Sequence, residues 1–122
     1  MPGWKRFEDM EAWKEVCQLV CEVYAATRGG EWTQDRSFQD QVRRAALSVP
    51  DNIAEGFERD SDKAFANALS IAKGSSGELR TQFYIAAKLG YLDSKTMGAL
   101  VRKGERISRK LAKLIDYLRK DR

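Results

Sequence analysis

The 122-residue sequence predicts an all-α protein, a single up-down-up-down four-helix-bundle domain of long antiparallel helices spanning residues 1–122. Three observations carry the fold class. Apolar residues recur at spacings of three and four along four long segments, which is the signature of helices that bury one face. Short polar turns separate those segments, as antiparallel neighbours require. Good capping residues stand where the segments begin.

The first helix is expected from about Met10 to Thr27, with Asp9 as N-cap and Glu11 near the positive end of the dipole. Met10, Trp13, Cys17, Val20 and Tyr24 form its seam. Gly29-Gly30 ends it, and a polar loop carrying Trp32 leads to Asp35 or Ser37 as the next cap. The second helix covers about Phe38–Phe57 and closes at Gly56 or the polar residues after it. Pro50 removes a backbone donor and crowds the Ala46 carbonyl, at about 3 kcal/mol in a helix interior, so a kink or break is expected near Val49. After the turn at residues 58–61, Ser61 caps a third helix that continues to Leu89, with Gly90 as the residue beyond its end. Phe65, Leu69, Ala72, Leu79, Phe83 and Ala86 form its core face. Asp93 caps the fourth helix, Ser94 to about Arg119, whose seam is Leu100, Gly104, Ile107, Leu111, Leu114 and Leu118.

Composition excludes several functions. The chain has no histidine, which removes serine-histidine and cysteine-histidine nucleophile pairs and di-iron Glu-x-x-His sites. Cys17 and Cys21, the only cysteines, lie one helical turn apart and are expected to be buried or half-buried thiols; four zinc ligands are lacking, so neither metal nor cofactor is expected. No apolar run approaches the roughly 20 residues of a membrane span, and the N-terminus lacks a signal peptide's apolar core, which points to a cytoplasmic protein. Net charge is +4, unevenly spread: residues 8–62 hold 13 acidic and 6 basic side chains, residues 102–122 hold 9 basic and 3 acidic. Such polarisation suits nucleic-acid binding, contact between subunits, or solubility.

Three surface constellations stand out. On the fourth helix Arg102, Arg106, Arg109, Lys113 and Lys120 share one face, broadened by Lys103 and Lys110. This stripe can neutralise several phosphates, giving salt-dependent and mostly sequence-independent affinity for RNA or DNA, although amphipathic helices also carry such residues simply as a wet face. On the second helix Gln41, Arg44, Ser48, Asn52 and Glu55 fall within an arc of roughly 80° bordering the apolar face. Ser75, Glu78 and Gln82 on the third helix are their expected partners, with Arg44 pairing Glu55 or Glu78 in a buried structural network. Glu55 and Glu78 held apart could do acid/base work, but no nucleophile, metal set or phosphate-cradling loop accompanies them. No catalytic residues are assigned and enzymatic function is not expected. Finally, Ser70, Gly74, Gly77 and Thr81 make a strip of small side chains on the third helix, with Tyr84 beside it. Interior glycines cost about 1 kcal/mol each relative to alanine, so a groove admitting a helix of another subunit is the expected reason for them.

The motif Ser48-Val49-Pro50-Asp51-Asn52-Ile53-Ala54-Glu55-Gly56 follows Gln41-Val42-Arg43-Arg44-Ala45 and precedes Ile71-Ala72-Lys73-Gly74-Ser75-Ser76-Gly77-Glu78-Leu79 and Leu89-Gly90-Tyr91. Together these resemble the four-helix-bundle proteins encoded by intervening sequences in bacterial 23S ribosomal RNA genes. The resemblance covers most of the chain. It departs at Arg28-Gly29-Gly30-Glu31-Trp32, where a proline-containing turn is usual. It implies a ring, commonly a homopentamer, without enzymatic activity. Accessory proteins of diversity-generating retroelements resemble the same family, and there the ring is thought to bind a reverse transcriptase and nucleic acid. The combined expectation is a non-enzymatic oligomer that binds RNA or DNA through basic helix faces. The alternative is an adaptor recruiting a larger protein such as a reverse transcriptase.

Overall fold

A computed structural model describes residues 3–120. A short 3-10 turn at Phe7–Asp9 precedes α1 (Glu11–Ala26), the five-residue α2 (Gly30–Gln34), α3 (Arg36–Phe57), α4 (Asp62–Lys88) and α5 (Ser94–Arg119). No strand occurs among the described residues. α1 and α4 each pack against both α3 and α5, so the four long helices enclose one core.

The starts of the last three long helices follow from their caps. Asp35 accepts from the Phe38 amide at 3.3 Å, Ser61 from Ala64 at 3.1 Å and Asp93 from Thr96 at 2.7 Å, each satisfying an amide that has no intrahelical partner. Gly90, with φ +82°, turns the chain after α4 in a conformation that side chains disfavour. All six residues expected on the core face of α4 are buried. In α5 the expected seam is likewise buried, except that Leu114 is half-buried.

Several expectations need correction. The N-cap of α1 is Met10, whose side chain makes no capping hydrogen bond, rather than Asp9. The fully buried face of α1 is Val16, Leu19 and Val23, while Trp13, Cys17, Val20 and Tyr24 lie half-buried on its flank. α1 is apolar over an arc wider than one seam, and the helix is rotated toward the aliphatic side of that arc. Of the two thiols, Cys17 is half-buried and Cys21 is exposed.

Trp32 sits in α2 rather than a loop. It is buried, stacks on Phe38 at 5.4 Å and donates its indole N–H to the Tyr91 carbonyl at 3.2 Å. Tyr91 in turn donates its hydroxyl to Asp35 at 2.9 Å, so the α1–α3 and α4–α5 connections are joined.

α3 does not break at Pro50: the chain is helical from Arg36 to Phe57 with Pro50 buried. Asn52 braces this turn, its Nδ2 donating to the Ser48 carbonyl at 2.8 Å and to Ser48 Oγ at 3.0 Å. Gly56 lies within α3 instead of closing it, and the reason is contact. A Cβ there would meet Ala68 Cβ at 2.5 Å and Phe65 Cδ1 at 3.1 Å, so only glycine lets α3 approach α4 this closely.

Between α4 and α5 the core carries a polar pair. Ser76 and Ser108 hydroxyls lie 2.9 Å apart, and Ser76 also donates to the Gly104 carbonyl at 3.2 Å. Gly104 leaves room for the Arg80 stem, whose Cγ would lie 2.9 Å from an added Cβ. At the other side of the bundle Arg43 and Gln39 of α3 finish α1: Gln39 donates to the Thr27 carbonyl at 2.8 Å, and Arg43 donates to Thr27 Oγ1 at 2.9 Å with its guanidinium over the Tyr24 ring. Carbonyls at a helix end need such donors.

Candidate functional site

The basic stripe of α5 divides into a row and a flank. Arg102, Arg109, Lys113 and Lys120 are exposed, and Arg102, Arg109 and Lys113 make no ion pair among the described residues. These three follow spacings of seven and four, so they project from one side of the helix. The flank comprises Lys103, Arg106 and Lys110, and it is already engaged. Lys103 pairs with Glu22 of α1, while Arg106 and Lys110 reach the same Glu15 oxygen at 3.2 and 2.7 Å. The hydrogen bond from Lys110, followed by that from Arg106, holds the Glu15 carboxyl below the usual glutamate range against the opposing effect of burial.

These pairs were not anticipated, yet a signal was present. Glu15 and Glu22 are seven residues apart, as are Lys103 and Lys110, and matched two-turn spacings of opposite charge suit facing helices. Between the two helices lies a cleft of about 300 Å³, lined by Glu15, Gln18, Leu19, Glu22, Lys103, Arg106 and Ile107. Arg119, at the end of α5, turns the other way and donates to Asn67 and Ser70 of α4.

The expected polar network shrinks to three residues. Ser48 and Ser75 hydroxyls meet at 2.8 Å and Asn52 donates to Ser48, joining α3 to α4. Gln41, Arg44, Glu55 and Glu78 are exposed, and Glu55 pairs with Arg59 one turn on rather than with Arg44. The polar arc is wider than the contact line between the helices, so its outer members face water. Gln82 is buried, but its Oε1 has no hydrogen-bond partner among the described residues and it does not join the serines. Glu55 and Glu78 line neither the α1–α5 cleft nor the α1–α3 groove described below.

The small-residue strip of α4 lies on an open face. No described residue outside its own stretch of helix comes within 4 Å of a Cβ built at Gly74; Thr81 donates back to the Gly77 carbonyl, and Ser70 accepts from Arg119. Around it Ile71, Tyr84, Ile85 and Leu89 are exposed by 58, 48, 41 and 52%. An apolar groove also runs between α1 and α3, lined by Phe7, Trp13, Cys17, Val20, Cys21, Leu47, Pro50, Asp51 and Ala54. Burial pushes the Cys17 thiol up, assisted by Cys21 and Asp51, so it is held protonated rather than as a nucleophilic thiolate. Among the described residues no group of three or more cysteine or acidic side chains is placed to hold a metal ion, and no helix is long and apolar enough to cross a membrane.

Fold and surface together define an all-α helical-bundle protein with a cationic helix on one side and an open apolar helix on another. Residues 8–113 match the model of the 23S rRNA-intervening sequence protein family. The chain belongs to that family. Among curated proteins none matches it.

Proposed function

We propose that this chain is a non-enzymatic, cytoplasmic subunit of a homopentameric ring that binds RNA or DNA through α5. The observation that carries the reading is the exposed row Arg102, Arg109 and Lys113, which makes no ion pair among the described residues. Each cation in it is available to a phosphate, whose binding releases condensed counterions. The row is not interrupted by an element that reads base edges, so backbone charge and shape dominate recognition.

Within the subunit the helices run up, down, up, down. The pairing of Glu22 with Lys103 and Glu15 with Lys110 supports this, since the α1 number falls by seven as the α5 number rises by seven. Ring closure repeats the row by symmetry and multiplies its charge. The Ser70-Gly74-Gly77-Thr81 strip and its apolar rim, Ile71, Tyr84 and Ile85, provide the contact between subunits. A second reading draws on the same rim: an adaptor ring whose apolar α4 face engages a larger protein such as a reverse transcriptase.

The test replaces Arg102, Arg109 and Lys113 together by glutamine, with Arg28→Gln/Arg36→Gln as a control of exposed arginines elsewhere. Affinity for a fluorescein-labelled oligouridylate should fall steeply in the first variant and little in the second, while light scattering reports a mass several times one chain. Equal losses would indicate bulk charge alone. Unchanged affinity in the α5 variant favours the adaptor, and a monomer at micromolar concentration rules out the ring.

A further inference from the structure

We infer that Glu15 and Glu22 are built-in competitors for the bound polyanion, holding Lys103, Arg106 and Lys110 out of the contact surface until phosphate displaces them. The inference rests on the nucleic-acid reading of α5. It goes beyond that reading by dividing the basic surface into a row that is always available and a flank that is conditional.

Carboxylate and phosphate compete for the same donors. Both accept charge-assisted hydrogen bonds from lysine and arginine, and phosphate offers more acceptor oxygens. Glu15 and Glu22 therefore stand in for phosphates on the α1 side of α5, at the same seven-residue period as Lys103 and Lys110. Without them the surface would present six neighbouring cations; with them it presents three.

The pairs are constructed to be displaced. Each glutamate bonds through one oxygen only: Glu15 through Oε1 and Glu22 through Oε2. The other oxygens, Glu15 Oε2 and Glu22 Oε1, are buried without a hydrogen-bond partner among the described residues. A carboxylate that swings out to water regains hydration on an oxygen that is unsatisfied in place, which lowers the cost of releasing its cations. Pairs near the surface are weak to begin with. The cleft of about 300 Å³ that they border leaves space for an incoming group beside Lys103 and Arg106.

Two zones imply selection by charge density. An anion with few phosphates engages the row alone. A strand dense enough to contact both zones gains the flank as well, so binding strengthens more than in proportion to the row. Glu15 and Glu22 thus determine which polyanions are retained.

The experiment compares wild type, Glu15→Gln/Glu22→Gln, each single variant, and Glu31→Gln/Glu58→Gln. The last pair removes the same charge from exposed sites off α1 and α5. Full-length protein is titrated with fluorescein-labelled oligouridylate across a series of potassium chloride concentrations. Freeing three cations should tighten binding about tenfold or more at low salt for the double variant, and steepen the log–log salt slope by up to roughly 2 where wild type engages the row alone. The single variants should fall between, and they secure the result if the double variant folds poorly. Binding by wild type with no gain in the Glu15/Glu22 variants, or an equal gain in the Glu31/Glu58 control, overturns the competition. Absence of binding by every form overturns the nucleic-acid reading itself.

Discussion

Gly56→Ala tests whether the α3–α4 approach is as rigid as the contacts imply. The added methyl would sit 2.5 Å from Ala68 Cβ, and that gap must widen to at least 3.4 Å for ordinary contact. Ala68 has no rotamer with which to retreat, and the next neighbour, Phe65, is held by an edge-on contact with Phe57 at 5.8 Å. The helices themselves must therefore separate, opening the core around Phe65. Overpacking of this kind costs about 1–3 kcal/mol, and a clash between two immobile methyl groups belongs at the upper end. The substitution also gains up to about 1 kcal/mol of helix propensity, leaving a net loss of roughly 2 kcal/mol. For a domain of this size that lowers the melting temperature by about 8 °C. Thermal unfolding by circular dichroism at fixed protein concentration provides the measurement. For an isolated subunit Gly74→Ala is the matched comparison, since no described residue outside its own stretch of helix lies within 4 Å of the added methyl, and there it should stabilise by about 0.5–1 kcal/mol. If Gly56→Ala melts with wild type, the close approach is not a constraint and the packing argument fails.

Ser76→Ala should destabilise by about 1–2 kcal/mol, because it leaves the Ser108 hydroxyl buried beside a methyl group, and the double variant with Ser108→Ala should cost less than the sum of the singles; additive losses in urea unfolding would dissolve the pair. Glu15 has a folded pKa depressed by Lys110 and Arg106, so its stabilisation is full above the unfolded glutamate value and is lost as pH falls through the lower folded value. The melting difference between wild type and Glu15→Gln should therefore shrink on acidification, and a difference that persists at the lowest pH would assign the effect to packing.

Much of this architecture could be read from local chemistry. Asp35, Ser61 and Asp93 are caps whose partners lie three residues away, and Gly90 stands at a turn, so spacing alone locates them. Periodicity succeeded for the core face of α4, where the bulky Phe65, Leu69, Leu79 and Phe83 share one side of the helix. It failed for α1 because Val16, Leu19 and Val23 and the neighbouring Trp13, Cys17 and Val20 are both apolar, and the choice between them depends on packing partners far along the chain. The same limit explains the surface. The stripe of α5 is local and was legible as a set, but its partition into row and flank depends on carboxylates 81 to 95 residues away. Trp32 was missed as a core residue because its supports, Phe38 and Tyr91, acquire meaning only when two loops meet.

That meeting of loops has a spectroscopic consequence. Trp32 sits in one aromatic cluster with Phe38 and Tyr91, whereas Trp13 belongs to a separate set with Phe7, itself in contact with Phe57. Phe38 lies in the first turn of α3 and Phe57 ends it, so the two indoles watch opposite ends of the bundle. Loosening of one end would redden the emission of its own indole while leaving the other unchanged. With Trp4 and either partner replaced by phenylalanine, one fluorophore at a time could tell whether the helices come apart together or fray from a single side.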